Sequence, residues 1–229
     1  MSGLIYGALW ICCRVIAKLC FRYHVFGAEH IPRKGGVLFA ANHASYVDIP
    51  LLGCAIPQRV YFLGRSNLFP HPLVRKALQA LGWIPLRTDR FDRHAFAEAI
   101  AKIQAGKSVV IFPEGTRSPD GRLQPGKPGI GHIVAATRCP VVPVYLKGTY
   151  QVWPAGTMRV RCHPVAVHFG EPLEFASHDT IDERARKERY RAIGTIVMNR
   201  IAELGQVPPP EKRKSTTHGS SSPEPSRMQ

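Results

Sequence analysis

Apolar residues cluster along this chain in short runs bounded by turn residues, and between those runs they recur at helical spacing. The short runs predict strands at Tyr23–Phe26, Val37–Ala41, Arg59–Leu63, Trp83–Leu86, Ser108–Phe112, Val141–Leu146, Met158–Cys162 and Val165–Gly170. Helical spacing predicts helices over Pro72–Leu81, with proline at its start, over Phe91–Ala105, closed by Gly106, and over Ile181–Leu204. Gly126–Gly131 reads as a flexible, basic segment carrying Lys127 that closes over a substrate. Pro143 inside a strand favours an edge or a bulge. Strands alternating with helices imply an α/β fold: a single domain with a mostly parallel twisted sheet flanked by helices. An amphipathic helix precedes it. The expected boundaries are a membrane-interface helix over 1–22, the catalytic domain over 23–204 and a disordered tail over 205–229. That tail is rich in Pro, Ser and basic residues and cannot bury a core.

The first segment places Arg14, Lys18 and Arg22 at every fourth residue, on one helical stripe. Leu9, Trp10, Cys13, Ile16, Ala17 and Cys20 form the opposite, apolar face. The uncharged run from Ser2 to Cys13 is too short to span a bilayer, and its basic residues follow the apolar run, unlike those of a signal peptide. Two placements suit such a helix. It lies in the plane of a membrane's cytoplasmic face, with Trp10 and Tyr6 at headgroup depth, or it packs on the domain core.

Charge narrows the partners. Lys and Arg outnumber Asp and Glu 31 to 16, a net +15, which calls for a phosphate-bearing substrate, an acidic lipid surface or nucleic acid. Nucleic acid is disfavoured, because the cations are dispersed and no zinc-finger or RNA-recognition signature is present. The six cysteines show no C-x-x-C pairing that would signal zinc, and no metal or cofactor is expected.

Two stretches carry chemistry. The apolar run from Val37 stops at Asn42-His43, and Asp48 follows as a helix-compatible segment begins at Ile49-Pro50. A strand-end imidazole with a carboxylate five residues on suits a general base held in one tautomer. Ser45-x-x-Asp48 is equally a helix capping box, in which Asp48 satisfies backbone donors. The second stretch, Phe112-Pro-Glu114-Gly115-Thr116-Arg117-Ser118, sets a glycine among a carboxylate, a hydroxyl and a guanidinium at a strand end, where they can converge on a phosphate. No Gly-x-Ser-x-Gly elbow marks a serine hydrolase.

Asn42-His43-x-x-x-x-Asp48, Phe112–Ser118 and Val142-Pro143-Val144 occur in the order and at the separations found in the glycerolipid acyltransferases. Over about residues 22–172 the chain resembles the 1-acylglycerol-3-phosphate acyltransferases. That resemblance implies acyl transfer from an acyl-CoA or acyl carrier protein thioester to the free hydroxyl of lysophosphatidic acid, giving phosphatidic acid at an anionic membrane surface. It implies His43 as general base, Asp48 as its orienting partner, and Glu114, Gly115, Thr116 and Arg117 as the acceptor's glycerol phosphate site. A further family block, glycine then apolar residues then arginine, corresponds to Gly82–Arg90, with Arg87 or Arg90 as a second phosphate cation. Another lysophospholipid or glycerol 3-phosphate as acceptor, or a catalytically idle membrane-surface adaptor of the same fold, are the alternative readings.

Overall fold

The computed structural model describes residues 3–66, 71–87, 91–157, 159–176 and 182–211. In chain order its helices are α1 (Gly3–Phe21), α2 (Asp48–Ala55), α3 (Pro72–Leu81), α4 (Arg93–Gln104), α5 (Gly129–Thr137), α6 (Thr149–Val152) and α7 (Glu183–Gly205). Its strands are β1 (His24–Phe26), β2 (Val37–Ala41), β3 (Val60–Arg65), β4 (Trp83–Leu86), β5 (Ser108–Ile111), β6 (Val141–Lys147) and β7 (Ala166–Phe169). They form one sheet in the order β1-β7-β6-β2-β5-β3-β4, and every neighbouring pair is parallel except β6 with β7.

β2 is central and fully buried, so both of its faces are apolar and its sequence is an unbroken run. Val37, Phe39 and Ala41 enter the layer that holds Ala17 of α1 and Leu51 and Leu52 of α2. Leu38 and Ala40 enter the opposite layer, among Phe96 of α4, Ile130 of α5 and Val197 of α7. Truncating Phe39 to Ala would cost about 3–5 kcal/mol in this packed setting.

Several expectations need correction. Gly126–Gly131 is not a loose flap: Lys127 N–H donates to the Pro113 carbonyl at 2.8 Å, and Gly129 opens α5. The glycines that mask this helix in the sequence permit its packing. A Cβ at Gly131 would lie 2.4 Å from the Tyr190 Cα of α7. Residues 159–162 form no strand. α7 runs through Gly205 and ends on Gln206 in the left-handed region.

Pro143 lies in an interior strand, between β2 and β7. Its carbonyl accepts from Gly170 N–H at 2.9 Å on the β7 side, so its missing N–H faces the same side, just past the end of β7. There the register slips by one residue between the pairs Val144–Phe169 and Val141–Leu173. This is a bulge, where a missing donor is tolerated.

α1 meets the body on one side. Trp10 Nε1 donates to the Ile56 carbonyl at 3.1 Å and Arg14 to the Cys54 carbonyl at 3.2 Å, both near the C-terminal end of α2. Trp10 and Arg14 therefore serve the protein interior instead of a headgroup layer, and the side chains of Tyr6 and Leu9 lie outside the described residues. Ile11, Val15, Ile16 and Leu19 remain exposed. Among the described residues no helix is long and apolar enough to cross a membrane.

Candidate active site

The site sits at the C-terminal ends of β2, β5 and β3, which are adjacent in the sheet. Such strand ends are where open α/β sheets bind ligands. After Ala41 the Asn42 amide takes over the pairing to β6, accepting from Leu146 N–H at 2.7 Å and donating to its carbonyl at 3.2 Å. The side chain thus continues the ladder while the backbone turns away, and His43 is presented at the turn.

Asp48 is fully buried at the first position of α2. Its Oδ2 accepts from His43 Nδ1 at 2.8 Å and from the backbone N–H groups of Ala44 and Ser45, each at 2.7 Å. One oxygen therefore both partners the imidazole and satisfies the backbone donors of the turn, but the capping box itself does not form: α2 starts at Asp48 after Val47, with no side chain capping it. With Nδ1–H directed at Asp48, Nε2 is left as the basic ring nitrogen. The imidazole stacks on Phe112, ring centroids 4.0 Å apart and planes 19° apart, which fixes its remaining freedom.

The Phe112–Ser118 loop is tied to the same residue. His43 N–H donates to Glu114 Oε1 at 3.0 Å, and Ser118 N–H donates to the His43 carbonyl at 2.7 Å. Glu114 is almost wholly buried, and that burial pushes its carboxyl up to about 8. The backbone N–H groups of His43 and Gln124 oppose the rise, and the charge of Asp48 adds to it. A carboxyl so placed is largely protonated at neutral pH.

His43 and Arg117 line a cavity of about 120 Å³ together with Gly115, Thr116, Arg65 and Lys127. The rest of its lining is largely apolar and includes Leu63, Trp83, Leu86, Phe96 and Ile130. The Arg117 guanidinium carbon lies 3.6 Å from the centre of the Tyr46 ring, a close cation–π stack. Arg117 Nη1 is buried with no hydrogen-bond partner among the described residues, leaving a donor for an anion. Gly115 has φ +68°, and a Cβ there would lie 2.8 Å from Lys127 Nζ. Glycine thus lets that ammonium sit directly over the loop. A second, almost wholly apolar cavity of about 240 Å³ between α1, α2 and α3 shares the lining residues Ile49 and Trp83 with the first.

His43, Asp48, Gly115, Thr116 and Arg117 are thus brought together, while Glu114 lies behind the cavity wall. Arg87 is exposed after β4, on a neighbouring groove, and its backbone N–H donates to Asp92 Oδ2 at 2.9 Å. Arg90 lies outside the described residues. Sequence reasoning passed over Arg65 and Tyr46. Arg65 ends β3 on the same sheet edge where His43 follows β2, a strand-end position that could have singled it out.

This arrangement defines a class. The chain belongs to the acyltransferase family, whose model matches residues 22–147. Among its relatives, the 1-acyl-sn-glycerol-3-phosphate acyltransferase BAT2, chloroplastic, of Brassica napus is 32% identical over 182 residues, covering 77% of this chain and 52% of that protein. The 1-acyl-sn-glycerol-3-phosphate acyltransferase of Bacillus subtilis (strain 168) is 27% identical over 192 residues, covering 83% of this chain and 92% of that one. The crystal structure of the 1-acyl-sn-glycerophosphate (LPA) acyltransferase from Thermotoga maritima superposes with a TM-score of 0.69 at 28% identity, covering 88% of this chain and 80% of that one. The chain spans about half the length of the Brassica napus and Cocos nucifera relatives that it matches.

Proposed function

We propose that the protein transfers an acyl group from an acyl thioester to the free hydroxyl of 1-acylglycerol 3-phosphate, forming phosphatidate and a free thiol. One observation carries this reading: His43, paired with Asp48 at 2.8 Å, lines a cavity that combines apolar side chains with the cations Arg117, Lys127 and Arg65. An acyl chain matches the apolar side chains, and a phosphate matches the cations. The names of the relatives support the same acceptor.

In this mechanism His43 Nε2 takes the proton of the acceptor hydroxyl as its oxygen attacks the thioester carbonyl carbon. The tetrahedral intermediate collapses with cleavage of the carbon–sulfur bond, and the imidazolium returns the proton to the departing thiolate. Asp48 stabilises the imidazolium meanwhile. Thioesters are already activated, so a positioned base and an oriented acceptor suffice without an acyl-enzyme. Arg117 and Lys127 hold the acceptor's phosphate. Glu114 positions His43 through its backbone.

The substrate's chains reside in a bilayer, and the exposed Ile11, Val15, Ile16 and Leu19 of α1 provide a face for peripheral docking on one. The apolar cavity beside α1, which shares Ile49 and Trp83 with the His43 cavity, offers an acyl chain an apolar lining close to the site. Release of free thiol from an acyl thioester, with and without lysophosphatidate, tests the activity. Acceptor-dependent release with phosphatidate as product supports it. Release without acceptor, or none at all, refutes it.

A further inference from the structure

Among the described residues, the buried side-chain atoms without a hydrogen-bond partner include three at the site: Asp48 Oδ1, Glu114 Oε2 and Arg117 Nη1. Arg117 lines the cavity and has the acceptor's phosphate to bind. The two carboxyl oxygens have no such use, since neither Asp48 nor Glu114 lines the cavity.

These two carboxyls grip one histidine from opposite ends. Asp48 Oδ2 takes the His43 Nδ1–H, and Glu114 Oε1 takes the His43 backbone N–H. Both residues are buried, at 0% and 2% exposure. Ionised together they would place two negative charges in the interior beside one group able to become positive, and uncompensated buried charge is costly. Among the described residues no lysine or arginine bonds to either carboxyl. The cations of the surrounding segments are engaged elsewhere: Arg117, on the same loop as Glu114, lies over the Tyr46 ring, and Lys127, ahead of α5, lies over Gly115. One of the two carboxyls is therefore neutral.

Hydrogen bonds decide which one, because N–H donors stabilise the charged form. Asp48 Oδ2 has three donors, all within 2.8 Å. Glu114 Oε1 has the His43 N–H at 3.0 Å, assisted by the Gln124 N–H. Asp48 is thus the anion and Glu114 keeps a proton, in line with the upward push of burial and of the Asp48 charge on Glu114. Oε1 is occupied as an acceptor, so the proton sits on Oε2. The same loop carries Phe112, which stacks on the imidazole, and Ser118, whose N–H donates to the His43 carbonyl. A carboxylate formed at Glu114 needs water, and to reach it the loop has to leave His43.

We propose that this proton latches the site: while Asp48 and Glu114 hold one proton between them the Phe112–Ser118 loop stays seated on His43, and its loss releases the loop and stops acyl transfer. The reaction then has an upper pH limit set by a residue outside the cavity. Its lower limit is a separate event, protonation of His43 Nε2, which disables the base. The proposal rests on the acyl-transfer reading above and adds a regulation to it.

The test pairs turnover with a direct view of the proton. Thiol release from an acyl thioester with lysophosphatidate, corrected for spontaneous hydrolysis, is followed from about pH 6 to about pH 9.5. With one ionisation at about 8, kcat/KM of the wild type should fall about tenfold by about pH 9. Glu114→Gln keeps an acceptor for His43 N–H and cannot ionise, so its rate should run level across the alkaline range, whatever its plateau. Infrared difference spectra read the proton without turnover. The wild type should lose the band of a protonated carboxyl as pH rises, and Glu114→Gln should lack that band. Asp48→Asn removes the neighbouring charge and should lose the band at lower pH, which serves if Glu114→Gln does not fold. A wild-type rate that stays level to about pH 9.5 overturns the proposal. So does a wild type without the band, or an equal alkaline fall in Glu114→Gln, which would assign the fall to another group such as Lys127. If the wild type releases no thiol with any acceptor, the acyl-transfer reading falls, and the infrared band still decides whether Glu114 holds the proton.

Discussion

The backbone N–H of His43 donates to Oε1 of Glu114 at 3.0 Å, across 71 residues of chain. The imidazole is therefore held from two directions, at Nδ1 by Asp48 and at its backbone by a carboxyl buried behind the cavity. Glu114 acts as a positioning residue through His43, and its own titration becomes a property of the fold.

That titration has a sign. The Glu114 carboxyl is raised from 4.5 to about 8, so between those values the folded chain keeps a proton that the unfolded chain has released. Its contribution is present below 4.5 and is lost as pH rises through about 8. Glu114→Gln retains an acceptor for His43 N–H and removes the titration. The melting temperature of the wild type minus that of the variant should fall across this window, and a flat difference would refute the burial argument.

Replacing His43 and Asp48 separates chemistry from architecture. His43→Ala should lower kcat by at least ~10²-fold with cooperative unfolding preserved, the size expected for losing a general base. Asp48→Asn keeps one oxygen for the Ala44 and Ser45 N–H groups but loses the charge that stabilises imidazolium, so kcat should fall with little loss of stability. Asp48→Ala strands both buried N–H groups, at about 1–3 kcal/mol each, and should lower both. Near-wild-type turnover in a folded Asp48→Asn protein would leave Asp48 only its bonds to the Ala44 and Ser45 N–H groups.

Arg117 is pinned by stacking on Tyr46 as well as by its loop. Arg117→Ala should raise KM for lysophosphatidate about tenfold or more, the usual loss for a charge-assisted phosphate contact, with a smaller change for the thioester. Arg117→Lys should not restore it, because an ammonium lacks the flat fork that both stacks and chelates. Tyr46→Ala should reproduce part of the effect. Equal losses for both substrates would make this loop structural.

On α1, the substitutions Ile11→Asn, Val15→Asn and Leu19→Asn alter side chains that are 58%, 49% and 79% exposed. Each should change stability by less than about 0.5 kcal/mol, as surface changes do, yet together they should move the protein from anionic vesicles to the supernatant in flotation. The exposed Lys18 and Arg22 add up to ~1 kcal/mol each near such a surface, and raised salt should weaken binding accordingly. Trp10→Ala should instead lower the melting temperature, since its indole is bonded to Ile56. Flotation unaffected by the triple change would place the docking surface elsewhere.

Much of the fold could be read from residues alone, because its signals are local or continuous. β2 is buried on both faces, so its sequence is an uninterrupted apolar run, and Pro72 and Gly82 bracket α3 as terminal residues do. The His43–Asp48 pairing was legible too, since five residues of turn bring one side chain back to the other. Other features depended on which elements become neighbours. Periodicity marks a face to be buried but not its partner, so nothing local revealed that Glu114 would turn behind the cavity to hold His43, that Arg65 would join the cavity, or that Arg87 would face the adjoining groove. α5 escaped notice for the same reason. Its glycines weaken a helix taken alone, and only close packing against Tyr190 of α7 makes small residues there an advantage. In α1 the sequence offered one apolar face, and docking on α2 divided it, taking Trp10, Cys13 and Ala17 inward and leaving Ile16 and Cys20 outside, while Ile11, Val15 and Leu19, which lay off that face, are exposed as well.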